Sequence, residues 1–149
     1  MADLKDLYKE VILDHNRTPR NFKELKTYSH RADGHNALCG DKYTIYLDIR
    51  DDIIQDISFE GSGCAISKSS ASLMTTLMKG TSVQDASGLF QTFHRMMTAE
   101  KSLDDLSGKI CKMRVLEGVK AFPTRIKCAT LIWHTMMRAI EKNEKKAEA

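Results

Sequence analysis

The sequence predicts an α+β fold, a small antiparallel three-stranded sheet with helices packed on one side. Apolar and polar residues alternate over 43–50 and again over 53–59, with Asp51-Asp52 between them, which is typical of a β-hairpin. Before and after this hairpin, apolar residues recur at the spacing that is typical of an amphipathic helix. The 149 residues, 42% of them hydrophobic and 29% charged, suffice for one packed core. We therefore expect a single domain over residues 1–149.

The elements follow in order along the chain. The polar stretch from Lys26 to Gly34 is expected to hold a short edge strand containing Tyr28. Gly61-Ser62-Gly63 marks the end of the hairpin. Residues 98–109 are expected to be a loop, and the tail at about 143–149, rich in Lys, Glu and Ala, to be frayed. The predicted helices cover residues 3–15, 67–78, 82–97, 110–119 and 124–142.

Composition and charge exclude several classes of function. The net charge is only +3, and no aromatic residues accompany the scattered basic ones, so we expect no nucleic-acid partner. No apolar run is long enough to cross a bilayer. Charged residues interrupt the N-terminal stretch, which would be apolar in a signal peptide. We therefore expect a cytoplasmic protein without membrane association, in which the four cysteines are thiols rather than disulfides.

Three of the four cysteines lie in sequence contexts that favour a metal-binding or reactive thiolate. Cys39 and Asp41 flank a glycine before the first hairpin strand, where an extended backbone would direct both side chains to one side. Cys64 follows the Gly-rich corner, and Cys128 is expected in the first turn of the last helix, where the helix dipole favours a thiolate. Cys111 has no such context and is expected to be structural.

The residue types alone leave the role of this set open. Three thiolates and a carboxylate satisfy a tetrahedral zinc site, and they could equally hold a cluster with the carboxylate as the exchangeable ligand. Buried cysteines with no function are also common, and the long spacings lack the local pairs that indicate zinc.

At these residues the sequence resembles the U-type iron–sulfur assembly proteins, the family that includes IscU, SufU and the N-terminal domain of NifU. The resemblance implies a SufE/NifU-like fold. Four blocks carry it along nearly the whole chain: YKEVILDH with RTPRN at 8–21, NALCGD at 36–41, FEGSGCAIS at 59–67 and FPTRIKCATL at 122–131.

Within this family the chain is most similar to SufU. Lys127 stands where the IscU branch has histidine before the third cysteine, and the helical segment at about 81–121 resembles a SufU-type insertion. Ala37 departs from the proline that the family often has two places before the first cysteine.

The resemblance implies that Cys39, Asp41, Cys64 and Cys128 bind zinc. It also implies that Cys39 accepts sulfur from a PLP-dependent cysteine desulfurase of the SufS type, after a partner histidine takes over the zinc. Downstream partners would be a SUF scaffold or apo iron–sulfur proteins. Arg125 and Lys127 flank the site and are candidates for partner contact or sulfur steering.

Two alternatives remain at this stage. The same ligands could bind iron and assemble a transient [2Fe–2S] cluster, as IscU does. A cysteine hydrolase that pairs Cys39 or Cys64 with a histidine is a different class of function. Among the histidines, His15 is expected to cap or contact a partner, and His35 is a minor alternative ligand because it is close to Cys39 in the sequence.

Overall fold

The computed structural model describes residues 4–99 and 108–142. Within these ranges the chain forms four α-helices, three β-strands and one 3-10 helix. The elements, in chain order, are α1 (Leu4–Arg17), β1 (His30–Asn36), β2 (Asp41–Arg50), β3 (Ile53–Ser62), α2 (Ala65–Met78), α3 (Val83–Thr98), the 3-10 helix (Gly108–Ala121) and α4 (Pro123–Lys142).

The three strands form one antiparallel sheet, as predicted, and their order in the sheet is β1-β2-β3. The predicted turn of the β2–β3 hairpin is confirmed at Asp51 and Asp52, which have φ angles of 53° and 61°. Positive φ at both central residues is the turn geometry that matches the right-handed twist of the paired strands. At the other end of β2, Asp41 pairs with Asn36, so the β1–β2 connection is a tight turn over 37–40.

One face of the sheet packs against α2 and α4. Inward-facing residues of the strands, among them Ile45, Leu47 and Phe59, are fully buried. Trp133 of α4 lies at the centre of this core and stacks on Phe93 of α3, with ring centroids 4.4 Å apart. The helices thus bury the apolar face of a sheet too small to be stable alone.

The other face is covered in part by the segment that precedes β1. Leu25 is buried there, and the ring of Tyr28 lies 5.2 Å from that of Tyr46. The edge strand was predicted within 26–34 and to contain Tyr28, but it begins at His30. Tyr28 therefore contributes packing to the outer face rather than backbone pairing to the sheet.

Helix boundaries differ from the prediction at two points that matter for the site. Helix α2 begins at Ala65 rather than Ser67, because Cys64 is its N-cap. Helix α4 begins at Pro123, since proline suits the first helical position, where no backbone donor is needed.

Of the remaining predicted segments, one lies within the described residues and two lie partly or wholly outside them. The segment 110–119 is helical but of the 3-10 type. Residues 100–107 of the predicted loop, and the predicted frayed tail at 143–149, lie outside the described residues. The interpretation of 81–121 as an insertion stays a prediction. No helix in the described ranges has the length and apolar content of a membrane span.

Candidate metal centre

The β1–β2 turn presents the first cysteine at the surface. The Cys39 backbone N–H donates to the carbonyl of Asn36 at 3.3 Å, and Gly40 adopts a left-handed φ of 70°. Cys39 therefore lies in a turn, and the prediction that it shares an extended backbone with Asp41 is wrong. The neighbouring Leu38 is 70% exposed, which places this turn among the most accessible parts of the described chain.

Three of the four predicted ligands come together beside this turn. Ligand atoms of Cys39, Asp41 and Cys128 all lie within 4.8 Å of one another. The Cys128 sulfur lies 2.9 Å from that of Cys39. Cys128 and Asp41 are fully buried, whereas Cys39 is half-buried. The cluster thus has two ligands held inside the protein and one at its surface.

Cys64 adjoins this cluster through its backbone. Its N–H donates to Oδ1 of Asp41 at 2.9 Å, and its sulfur accepts from the N–H of Ser67 at 3.5 Å as the N-cap of α2. Its sulfur is not one of the three mutually close ligand atoms. The fourth predicted ligand is therefore next to the cluster but not within it.

The Asp41 carboxylate is held by residues that the sequence analysis did not single out. Ser67 Oγ donates to Oδ1 at 3.1 Å and lies 2.9 Å from the hydroxyl of Tyr43. The Asn36 amide nitrogen lies 3.5 Å from Oδ2 and 3.6 Å from the Cys128 sulfur. The period-two pattern of β2, which places Tyr43 on the same face as Asp41, was the one available signal for this group.

Gly63 makes room for these oxygens. A Cβ at this position would lie 2.5 Å from both Asp41 Oδ1 and Ser67 Oγ and 2.6 Å from the Tyr43 hydroxyl. A side chain at position 63 would force these oxygens to move, so the glycine of the Gly-Ser-Gly corner is needed for the hydrogen bonds around the Asp41 carboxylate as well as for the turn.

Cys128 lies deeper in its helix than predicted. It is the sixth residue of α4, in the second turn, and its sulfur contacts the Thr124 carbonyl oxygen at 3.7 Å. Burial, with the neighbouring Cys39 thiol and Asp41 carboxylate, raises its pKa. The expectation that Cys128 lies in the first turn of the last helix is therefore wrong.

The two predicted basic residues are both exposed near the start of α4. The neighbouring Cys64 sulfur, in its ionised form, raises the pKa of Arg125. Arg125 and Cys64 also line one end of a mainly apolar groove of about 850 Å³ between α1, α2 and the 3-10 helix. Lys127 is not among the residues lining that groove.

The described histidines contribute no atom to the cluster. His15 is buried and its Nδ1 lies 2.7 Å from Ser72 Oγ, so it joins α1 to α2. His35 is exposed on β1. Cys111 is exposed on the 3-10 helix, so it is not the buried core residue that a structural role would suggest.

The donor set fits a thiophilic metal such as zinc. Thiolates and a carboxylate are standard zinc ligands, and a zinc–sulfur bond of about 2.3 Å places two ligand sulfurs about 3.8 Å apart in a tetrahedral site. The two sulfurs at 2.9 Å need to separate by less than about 1 Å to reach this geometry.

The structure is thus an α+β domain with thiols and a carboxylate close together beside one end of its sheet. This is the donor set of a site for a thiophilic metal. The chain belongs to the family of the NifU-like N-terminal domain, whose family model matches residues 7–149.

Curated relatives cover almost the whole chain. The zinc-dependent sulfurtransferase SufU of Bacillus subtilis is 38% identical over 143 residues, which are 96% of this chain and 95% of that protein. The iron–sulfur cluster assembly scaffold protein IscU of Thermotoga maritima is 34% identical over 138 residues, 93% of this chain and 95% of that protein.

Solved structures share the fold. A putative iron–sulfur cluster assembly scaffold protein for the SUF system from Fervidobacterium islandicum superposes with a TM-score of 0.80 at 30% identity, covering 93% of this chain and 99% of that one. The N-terminal part of a NifU-like protein from Brucella abortus superposes with a TM-score of 0.84 at 24% identity, covering 97% and 99% of the two chains.

Proposed function

We propose that this protein acts in iron–sulfur cluster biogenesis as a zinc-dependent acceptor of persulfide sulfur, with a PLP-dependent cysteine desulfurase as the donor. The observation that carries the proposal is the position of Cys39. Its sulfur belongs to the cluster of ligand atoms, yet its backbone lies in an exposed turn that a partner can reach. The likeness to a zinc-dependent sulfurtransferase over 96% of the chain supports the same function.

The three candidate thiols are suited to different tasks. Cys128 is fully buried and cannot meet a partner's persulfide without a rearrangement. Cys64 is tied to the start of α2, where it caps the helix. Cys39 has left-handed Gly40 beside it and exposed Leu38 before it, so its turn can change shape with little cost to the core.

The transfer step is a thiol–disulfide type of exchange. The Cys39 thiolate attacks the outer sulfur of the donor persulfide, the bond between the two donor sulfurs breaks, and the donor cysteine leaves as a thiolate with the electron pair. The product is a persulfide on Cys39, and no external oxidant or reductant is needed. Bound zinc would keep its cysteine ligands in the thiolate form.

In this proposal Cys39, Asp41, Cys64 and Cys128 hold the metal, and Arg125 helps to receive the incoming sulfur. The Arg125 guanidinium is exposed and next to the Cys64 sulfur, where it favours an anionic group at the mouth of the site.

The experiment is a comparison of metal content and desulfurase turnover in variants of the full chain. We expect about one zinc per chain and desulfurase turnover that rises when the protein is added. Cys39→Ala should abolish the rise, whereas Cys111→Ala, which removes another surface thiol outside the cluster, should leave it unchanged. A full stimulation by Cys39→Ala would contradict the sulfur-acceptor function.

A second candidate function is a scaffold for a [2Fe–2S] cluster. The likeness to an IscU scaffold protein over 93% of the chain favours this function. The ligand set also favours it, because a hard carboxylate among soft thiolates is a weak ligand that lets a bound cluster leave. Anaerobic reconstitution with iron and sulfide separates the two functions. A stable chromophore that transfers to an apo-protein would favour the scaffold, and its absence would favour the sulfur acceptor.

A further inference from the structure

The two oxygens of the Asp41 carboxylate have different surroundings. Oδ1 accepts two hydrogen bonds of ordinary length, from the Cys64 backbone N–H at 2.9 Å and from Ser67 Oγ at 3.1 Å. Oδ2 lies 3.5 Å from the Asn36 amide nitrogen, a longer contact than either of those to Oδ1. That same nitrogen lies 3.6 Å from the Cys128 sulfur, so Oδ2 and this sulfur share one neighbouring donor.

The Ser67 hydroxyl is itself aligned by a second residue. Ser67 has one proton, and three acceptors lie within reach of it: Asp41 Oδ1, the Cys64 carbonyl at 3.0 Å and the Tyr43 hydroxyl at 2.9 Å. The carboxylate is the strongest acceptor because it carries the charge. Tyr43 then donates to Ser67 Oγ across 2.9 Å, because the Ser67 proton is directed to the carboxylate.

We propose that Tyr43 and Ser67 form a relay of hydrogen bonds that occupies Oδ1 of Asp41, so that Asp41 offers only Oδ2 to a metal. This inference rests on the proposed metal-dependent function and adds two positioning residues to it. Neither hydroxyl needs to touch the metal, since both act through the orientation of the carboxylate.

A carboxylate held in this way is a one-oxygen ligand. A free carboxylate can rotate and bind a metal through both oxygens, which changes the coordination number and the rate of ligand exchange. Outer partners of metal ligands typically change metal affinity by about 10–100-fold when removed. With the relay in place, Asp41 would supply one oxygen to a bound metal and the three cysteines one sulfur each.

The test uses the full chain loaded with Co²⁺, whose visible spectrum reports the number of ligands and their sulfur content separately. Ser67→Ala should lower Co²⁺ affinity by about 10–100-fold and weaken the ligand-field bands as the carboxylate becomes free to rotate. The sulfur-to-cobalt charge-transfer bands should stay, because all three cysteines remain. Tyr43→Phe should produce the same spectral change to a smaller extent.

Ser69→Ala is the matched control. Ser69 is also a fully buried serine of α2, but its hydroxyl donates to the Ile66 carbonyl and has no contact with Asp41. Its Co²⁺ spectrum and affinity should equal those of the unaltered protein. Should Ser67→Ala fail to fold, Tyr43→Phe provides the same comparison with the ring retained.

Two results would be distinct failures. A protein that binds no Co²⁺ or Zn²⁺ at all would overturn the proposed metal-dependent function. A protein that binds metal normally, with ligand-field bands and affinity unchanged in both Ser67→Ala and Tyr43→Phe, would overturn the relay alone.

Discussion

The sulfur of Cys39 lies 2.9 Å from the sulfur of Cys128, although 89 positions separate the two residues in the chain. The first lies in a surface turn between two strands and the second in the second turn of the last helix. Packing of α4 across the sheet therefore builds the cluster, so that fold and site depend on the same core.

Gly63→Ala should damage the site without damaging the fold. The added Cβ would lie 2.5 Å from Asp41 Oδ1 and Ser67 Oγ, so both side chains would have to move. We expect a loss of bound zinc, measured by elemental analysis, with little change in melting temperature. Gly88→Ala is the control, because a Cβ there would meet nothing within 4 Å. Full zinc content in Gly63→Ala would show that the network of oxygens does not hold the ligand.

Asp41→Ala tests the carboxylate in the scaffold function. The carboxylate is the hard, exchangeable ligand among soft thiolates, so its removal should slow the release of a reconstituted cluster. The measurement is the decay of the visible chromophore in the presence of an apo-protein acceptor. An unchanged lifetime would argue against a role for Asp41 in cluster release.

Arg125→Gln should slow sulfur transfer and leave the metal in place. The guanidinium lies by the Cys64 sulfur and lines the same groove, where it would attract an anionic persulfide. We expect transfer to slow by about tenfold at low salt, with a smaller effect at high salt because exposed charges are screened. Lys112→Gln removes an exposed positive charge from the 3-10 helix and is the control. Equal rates for the two variants would exclude a specific role for Arg125.

His15→Gln should change the pH dependence of stability. Burial lowers the pKa of His15 below its usual 6.5, so the unfolded chain binds this proton more readily than the folded chain. The stabilisation by neutral His15 is therefore complete above pH 6.5 and is lost as the pH falls through the folded pKa. His134 has a pKa lowered mainly by burial as well and adds to the same trend.

The measurement for His15 is the free energy of unfolding in urea at about pH 7.5 and 5.5. The unaltered protein should lose stability on acidification, and His15→Gln should lose less. His35→Gln, at an exposed histidine, is the control and should behave like the unaltered protein. An equal loss in His15→Gln would contradict the buried neutral histidine.

The hairpin was predictable because its signals are local. Alternation over 43–50 and 53–59 specifies two strands, and Asp51-Asp52 supplies a turn in which both residues take positive φ. The edge strand was misplaced around Tyr28, because a polar edge strand lacks the alternation that marks a half-buried one. The start of α4 was predicted one residue late, since Pro123 begins the helix instead of preceding it.

The network that holds Asp41 was not predictable in the same way. Ser67 and Tyr43 belong to different elements, and each has an ordinary sequence context. Their hydrogen bond depends on how α2 meets the sheet, which no local pattern encodes. The depth of Cys128 was missed for a related reason, because its burial follows from the packing of α4 on β1 and β2.

The most direct test of the central claim is the mass of the protein after reaction with a cysteine desulfurase and cysteine. After the thiols are trapped by alkylation, we predict one added sulfur on the peptide that contains Cys39. Cys39→Ala should carry no added sulfur, and Cys111→Ala should carry it as the unaltered protein does. Added sulfur only on peptides other than that of Cys39 would contradict the account.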